Sequence, residues 1–306
     1  MPWLEPFAKD RLDTLRVGNQ EAIRVRRGVD ALNDHIEVGD GPGIAGAGWA
    51  HGQGSWHLAI VASGEWMVTA FVTIGVTEGA SDRSRSAPSG NSSWAGVASV
   101  LDDLGWHVVI PNLSDAAQQS GDVHAVVAAA AAQLPAGDVV LVGHSGAGLL
   151  LPAIGAASRA RVTAHVFVDA HLPPEDGAIP LADSDFVESL RRLAVGDRLP
   201  PWSSWWGPEA MTRLVPDPSV RAALVEDMPQ LPLAYFHGSA SVPSGWMSSG
   251  RRGYVRLSEL YEASAVLAED RGWPVQRFTG GHLDAAVHPR AVVDAILAVA
   301  GLPPRP

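Results

Sequence analysis

The sequence predicts an α/β protein: a mostly parallel sheet with helices on both faces, interrupted by an inserted helical cap. Three observations carry that expectation. From Trp66 onward, short apolar runs alternate with helix-patterned stretches through connections of a few residues, the arrangement that makes neighbouring strands run parallel. The stretch "VVLVGHSGAGLLLP", residues 139–152, sets an unbroken β-branched run before a glycine-rich turn and a helical pattern, as a strand buried on both faces requires. A chain of 306 residues with 46% hydrophobic and 18% charged residues can bury a large core and is neither disordered nor fibrous.

The elements follow in order. Residues 1–60 form an N-terminal extension of unclear pattern, in which "EAIRVRRGVDALNDHIEVGDG" offers one or two edge strands. The next stretch contains G-x-G-x-x-G at Gly41, Gly43 and Gly46, but Pro42 and the further glycines suit a connector better than the strand-to-helix turn a dinucleotide needs. His35, His51 and His57 match no common metal-ligand spacing. The core is expected over 61–171 and 251–306. Its pattern is a strand at 67–75, a helix from Ser92, a strand at 106–111 and a helix at 122–134. A strand at 138–144, a helix at 146–158 and a strand at 162–170 complete the first part. Residues 172–250, rich in proline and tryptophan, break the alternation and form the cap. A strand at 253–258, a helix at 259–272, a strand at 273–280 and a helix at 289–301 end the chain.

Composition narrows the partners. The formal charge is −11, and no basic stripe follows a phosphate backbone, so nucleic acid is not expected. There is no cysteine, which excludes disulfides, thiolate metal sites and cysteine nucleophiles. No basic segment leads into an apolar signal, and no stretch reaches the roughly 18 apolar residues of a membrane span. The expectation is a soluble cytoplasmic protein with a small-molecule substrate, no membrane partner, no cofactor and no metal. A homo-oligomer is compatible with it.

A nucleophilic serine must stand clear of its neighbours beside free backbone N–H groups, and a sharp strand-to-helix turn supplies both. Gly143, Ser145, Gly146, Ala147 and Gly148 are small enough for such a turn, although Ala147 occupies the place of the last glycine of G-x-S-x-G. Serine needs a base. His282 follows the last strand through Gly280 and Gly281 at the same sheet edge; its competitor His288 sits beside Pro289 at a helix start.

On the G-H-S-G-A-G turn and the G-G-H-L loop, residues 66–303 resemble the α/β-hydrolase family. The resemblance implies Ser145 as nucleophile, His282 as base and an esterase, lipase, amidase or thioesterase activity without a cofactor. In most relatives the acid follows the penultimate strand, where Glu259 and Glu262 stand; a minority place it one strand earlier, where Asp169 ends "HVFVDA". Asp169 is the first choice, Glu262 and Glu259 remain open, and Asp284 is an outside one. The Gly146 N–H is the first oxyanion donor. The second, normally on a His-Gly loop, falls to Val76 or Thr77 in a loop that lacks the histidine. His144, Trp202, Trp205, Trp206 and Trp246 are candidate substrate contacts, the tryptophans favouring a bulky apolar acyl group. The expected activity is a serine hydrolase or acyl transferase. The rivals are a non-catalytic small-molecule-binding protein on the same fold, or a lyase or cyclase using the same serine and histidine.

Overall fold

The computed structural model describes residues 56–61, 92–205, 207 and 209–303. Its strands are β1 (Trp56–Val61), β2 (Val108–Val109), β3 (Gly137–Ser145), β4 (Ala160–Ala170), β5 (Gly177–Pro180), β6 (Ser239–Val242), β7 (Arg251–Arg256) and β8 (Val275–Arg277). Its α-helices are α1 (Ser92–Asp103), α2 (Ser114–Ser120), α3 (Val123–Gln133), α4 (Leu151–Ala157) and α5 (Ser184–Leu193). Beyond these come α6 (Ala210–Leu214), α7 (Pro218–Asp227), α8 (Glu262–Asp270), α9 (Asp284–Val287) and α10 (Pro289–Ala300).

Among the described residues, six strands form one sheet in the order β2-β1-β3-β4-β7-β8, with every pairing parallel. Because alternate side chains of a strand point to opposite faces, β3 and β4 feed two cores. Val139, Leu141 and Phe167 meet α3 and α4 through Val126 and Ile154. Val140, Val142, Val166 and Val168 meet Trp94, Val97 and Leu101 of α1 and Val292, Val293 and Ile296 of α10. Helices on both faces explain why these strands read as unbroken apolar runs rather than alternating ones. The parallel strands also bring their carboxyl ends to one edge, where a ligand site is expected.

Several elements differ from expectation. The sheet includes β1, which lies in the stretch read as an N-terminal extension; "WHLAIV" is apolar enough to sit between β2 and β3, but its glycine-rich approach masks it. The strand expected at 67–75 and the N-terminal features of residues 1–55 lie outside the described residues. The helix expected from Gly146 opens as a 3-10 turn, Gly146–Leu150, and becomes α4 only where Pro152 stands in the first turn. Strand 106–111 shortens to β2 at the sheet edge, and 273–280 shortens to β8. The insertion is not purely helical: β5 and β6 pair as an antiparallel ribbon beside α5, α6 and α7. No helix among the described residues is long and apolar enough to cross a membrane.

Candidate active site

Ser145 ends β3 with φ 57° and ψ −132°, a backbone conformation that L-residues avoid and a strand-to-helix elbow imposes. The turn then presses on the end of β4. A Cβ at Gly148 would stand 2.6 Å from the His171 carbonyl oxygen and 2.8 Å from Ala170 Cβ, so only glycine fits there. Ala147, one place earlier, is simply buried.

The neighbouring strand is irregular at the same level. His144 pairs with Val168 and Ser145 with Ala170, which leaves Asp169 as the extra residue of a bulge at φ 42°. A bulge re-aims a side chain at a strand end. Tyr254 of β7 pins it: its hydroxyl donates to the Ala170 carbonyl at 2.8 Å and accepts from the Ala170 N–H at 3.0 Å. The Asp169 carboxylate is fully buried and saturated with donors. Oδ1 accepts from the backbone N–H groups of Leu257 at 2.8 Å and Ser258 at 2.9 Å, while Oδ2 accepts from Ser258 Oγ at 2.6 Å. His282 Nδ1 also lies 2.6 Å from Oδ2, so this nitrogen carries the proton. Burial alone would raise the Asp169 carboxyl, but the hydrogen bond and charge of His282 and the bonds from Ser258 outweigh it and hold the group below its ordinary value.

His282 is held on other sides too. Its backbone carbonyl accepts from His144 Nε2 at 3.0 Å, and the two imidazoles lie 4.3 Å apart. The Trp94 ring meets that of His144 in an edge-type contact, with centroids 5.8 Å apart. His144, expected as a substrate contact, is thus occupied in supporting the histidine loop. That loop turns tightly because Asp284 Oδ1 accepts from the Gly281 N–H at 3.1 Å, and a Cβ at Gly280 would collide with the same carboxylate. Asp284 therefore caps the loop, and His288 is exposed at the start of α10.

The ring of Tyr261 stacks on His282 at 5.1 Å and 9°, and its hydroxyl lies 3.2 Å from Ser145 Oγ. The 3-10 turn Glu259–Tyr261 that carries it is fixed through the two glutamates weighed as acids. Arg256, its side chain buried, pairs with Glu259 at 3.0 Å and Glu262 at 2.8 Å; Glu262 also meets Arg277 at 3.1 Å. Neither glutamate takes the Nδ1 side of His282: both serve as partners of arginine because they stand opposite buried or half-buried cations. Ser145 and Asp169 are 0% exposed, Tyr261 2% and His282 5%, so the whole cluster is shielded from water.

No family model matches the sequence, and no curated protein matches it. Solved structures do. An extracellular α/β-hydrolase from a Paenibacillus species, described as sharing structural and functional homology with tobacco salicylic acid binding protein 2, aligns at TM-score 0.57 and 16% identity, covering 79% of this chain and 98% of its own. A variant of tomato methylketone synthase I complexed with β-ketoheptanoate aligns at 0.51 and 14%, covering 70% and 94%. A mutant of polyneuridine aldehyde esterase aligns at 0.51 and 14%, covering 68% and 93%. The fold is that of the α/β-hydrolases.

Within this α/β-hydrolase core, the remaining expected contacts divide. Trp246 packs against His165, Phe167 and Trp273, and its indole N–H donates to the Pro174 carbonyl at 2.9 Å, so it closes the core beside β4. Trp202 is buried in the insertion's own cluster with Met211, Val215 and Leu224, which reaches Leu283 next to His282. Half-buried Trp205 donates to the Pro200 carbonyl at 2.7 Å and faces Phe236 at 6.1 Å. Trp206, Val76 and Thr77 lie outside the described residues. Among the described residues no group of three or more His, Cys, Asp or Glu side chains is placed to hold a metal ion. Sequence reasoning missed Ser258 and Tyr261. Their signal is position, directly past the carboxyl end of β7.

Proposed function

We propose that the chain is a cofactor-independent serine hydrolase or acyl transferase acting on an ester, thioester or amide of a bulky apolar small molecule. Ser145 Oγ attacks the carbonyl carbon and passes its proton to His282 Nε2. Asp169 holds the imidazole by its Nδ1–H and balances the positive charge that forms there. The Gly146 N–H supports the oxyanion. The intermediate then collapses, the leaving group takes the proton from His282, and water or an acceptor alcohol or amine releases the acyl group by the same steps.

The observation that carries the reading is the 2.6 Å pair of His282 Nδ1 and a buried, donor-saturated Asp169, standing with Tyr261 beside a serine in a strained elbow. A carboxylate is costly to bury, and orienting an imidazole is a use that justifies the cost. The apolar preference follows from the aromatic-rich insertion, whose Trp202 cluster abuts the histidine loop at Leu283.

Treatment with a fluorophosphonate should add one phosphonyl group at Ser145, read by intact-protein mass spectrometry, and Ser145→Ala should abolish labelling and ester turnover together. Wild-type protein left unmodified at an excess that labels an ordinary esterase would replace this reading with the non-catalytic binding protein. Labelling without turnover of esters, thioesters or amides would favour the lyase.

A further inference from the structure

We propose that the Tyr261 hydroxyl is a catalytic donor that stabilises the oxyanion formed on attack by Ser145, an inference that rests on the serine-hydrolase reading. Tyr261 is placed for chemistry rather than for filling space. Its ring lies nearly parallel to His282 at 9°, with the His171 ring against it at 5.2 Å, so neither ring rotates freely. The turn beneath it is fastened by Arg256 through Glu259 and Glu262, and Ser258 at its head is bonded to Asp169. Acid, base and tyrosine are therefore tied to one another, and the tyrosine hydroxyl reaches Ser145.

The donor and acceptor roles follow from the reaction. For Ser145 to lose its proton to His282, Oγ must be the acceptor towards Tyr261, with the phenol O–H directed at it over 3.2 Å. As the Oγ–C bond forms, the carbonyl π pair moves onto oxygen and Oγ loses its negative character. The charge is now on an atom bonded to the same carbon, and the phenol turns its hydrogen bond to that oxygen without transferring a proton. Collapse returns the electron pair to the carbonyl, and the leaving group takes its proton from His282, so the phenol ends as it began. At 2% exposure, water does not compete for this donor, which strengthens its effect on the developing charge.

Tyr261→Phe keeps the stacked ring and removes only the hydroxyl. The expected result is a fall in kcat of about 100-fold, the cost of deleting one oxyanion donor, with KM little changed. Affinity for a trifluoromethyl ketone, which Ser145 converts to a tetrahedral oxyanion, should fall by a similar factor, while the thermal midpoint stays near that of wild type. A kcat and ketone affinity both within about threefold of wild type would overturn the proposal, since a ring that only positions His282 survives the change. A loss of kcat with ketone affinity retained would likewise overturn it, by separating the tyrosine from the oxyanion. A wild-type protein that fluorophosphonate does not label would sink the hydrolase reading and the tyrosine role with it; a labelled wild type with an unaffected Phe variant sinks the tyrosine role alone.

Discussion

Asp169 is the residue at which a single-atom change carries the most information. All its oxygens face donors, namely the Leu257 and Ser258 N–H groups, Ser258 Oγ and His282 Nδ1. In Asp169→Asn one amide NH2 must oppose another donor or force His282 into the other tautomer. Turnover should fall by about 10⁴, as for the same change in a serine triad, and a buried mismatch should cost about 1–3 kcal/mol of stability. Glu259→Gln and Glu262→Gln should leave turnover within an order of magnitude, since their carboxylates pair with arginines. A steady-state assay and a denaturant titration check both parts; a large loss in Glu262→Gln with Asp169→Asn unaffected would reassign the acid. The positions of Ser145 and Asp169 were legible because each stands at the carboxyl end of an apolar strand, and that of His282 because Gly280 and Gly281 mark a turn past the last strand; parallel strands gather their ends. Tyr261 was not, because stacking on a histidine contributed 21 residues later leaves no local pattern. Nor was the bulge at Asp169, which exists only relative to the partner strand.

At the scale of elements, the sheet was legible where strands are buried on both faces and obscure where they are short or flanked by glycine. β3 and β4 match their apolar runs, whereas β8 keeps only Val275–Arg277 of a longer candidate, because an edge strand has one neighbour to set its length. The insertion was legible as a break in alternation, but not its ribbon, which depends on pairing across nearly the whole segment. Its Trp202 cluster docks on Leu283, one residue past His282. Trp202→Ala should therefore destabilise the protein by about 3–5 kcal/mol, as large-to-small core changes do. It should lower kcat for short and bulky acyl esters alike by loosening the histidine loop. Thermal unfolding with paired assays on acetate and long-chain esters decides it: a selectivity change at unchanged stability would mean instead that Trp202 lines the acyl pocket.

For the molecule as a whole, acid stability should have an identifiable owner. His165, buried in β4 with no partner for Nδ1 among the described residues, is pushed down to about 3 by burial and by the nearby charge of Arg252. The unfolded chain takes up this proton near pH 6.5 and the folded one does not, so stability falls as pH drops from about 6.5 towards 3, by up to about 1.4 kcal/mol per pH unit. Asp169, held low, adds its own loss only below its unfolded value near 3.8, and Asp102, raised by partial burial, acts in the opposite sense just above it. His165→Leu should flatten the slope of unfolding free energy between pH 4.5 and 6; an unchanged slope would remove His165 from that role. The donors that saturate Asp169 have a consequence in time. They come from residues 88, 89 and 113 positions further along the chain. β3 and β4 can pair early, across a short crossover, but the carboxylate between them has no donors until the insertion has been looped out and β7 has docked. Closing such long loops is entropically slow compared with local pairing. During refolding the recovery of turnover should therefore lag behind the burial of the central strands, so that enzymatic activity is the clock of the last long-range closure and not of collapse.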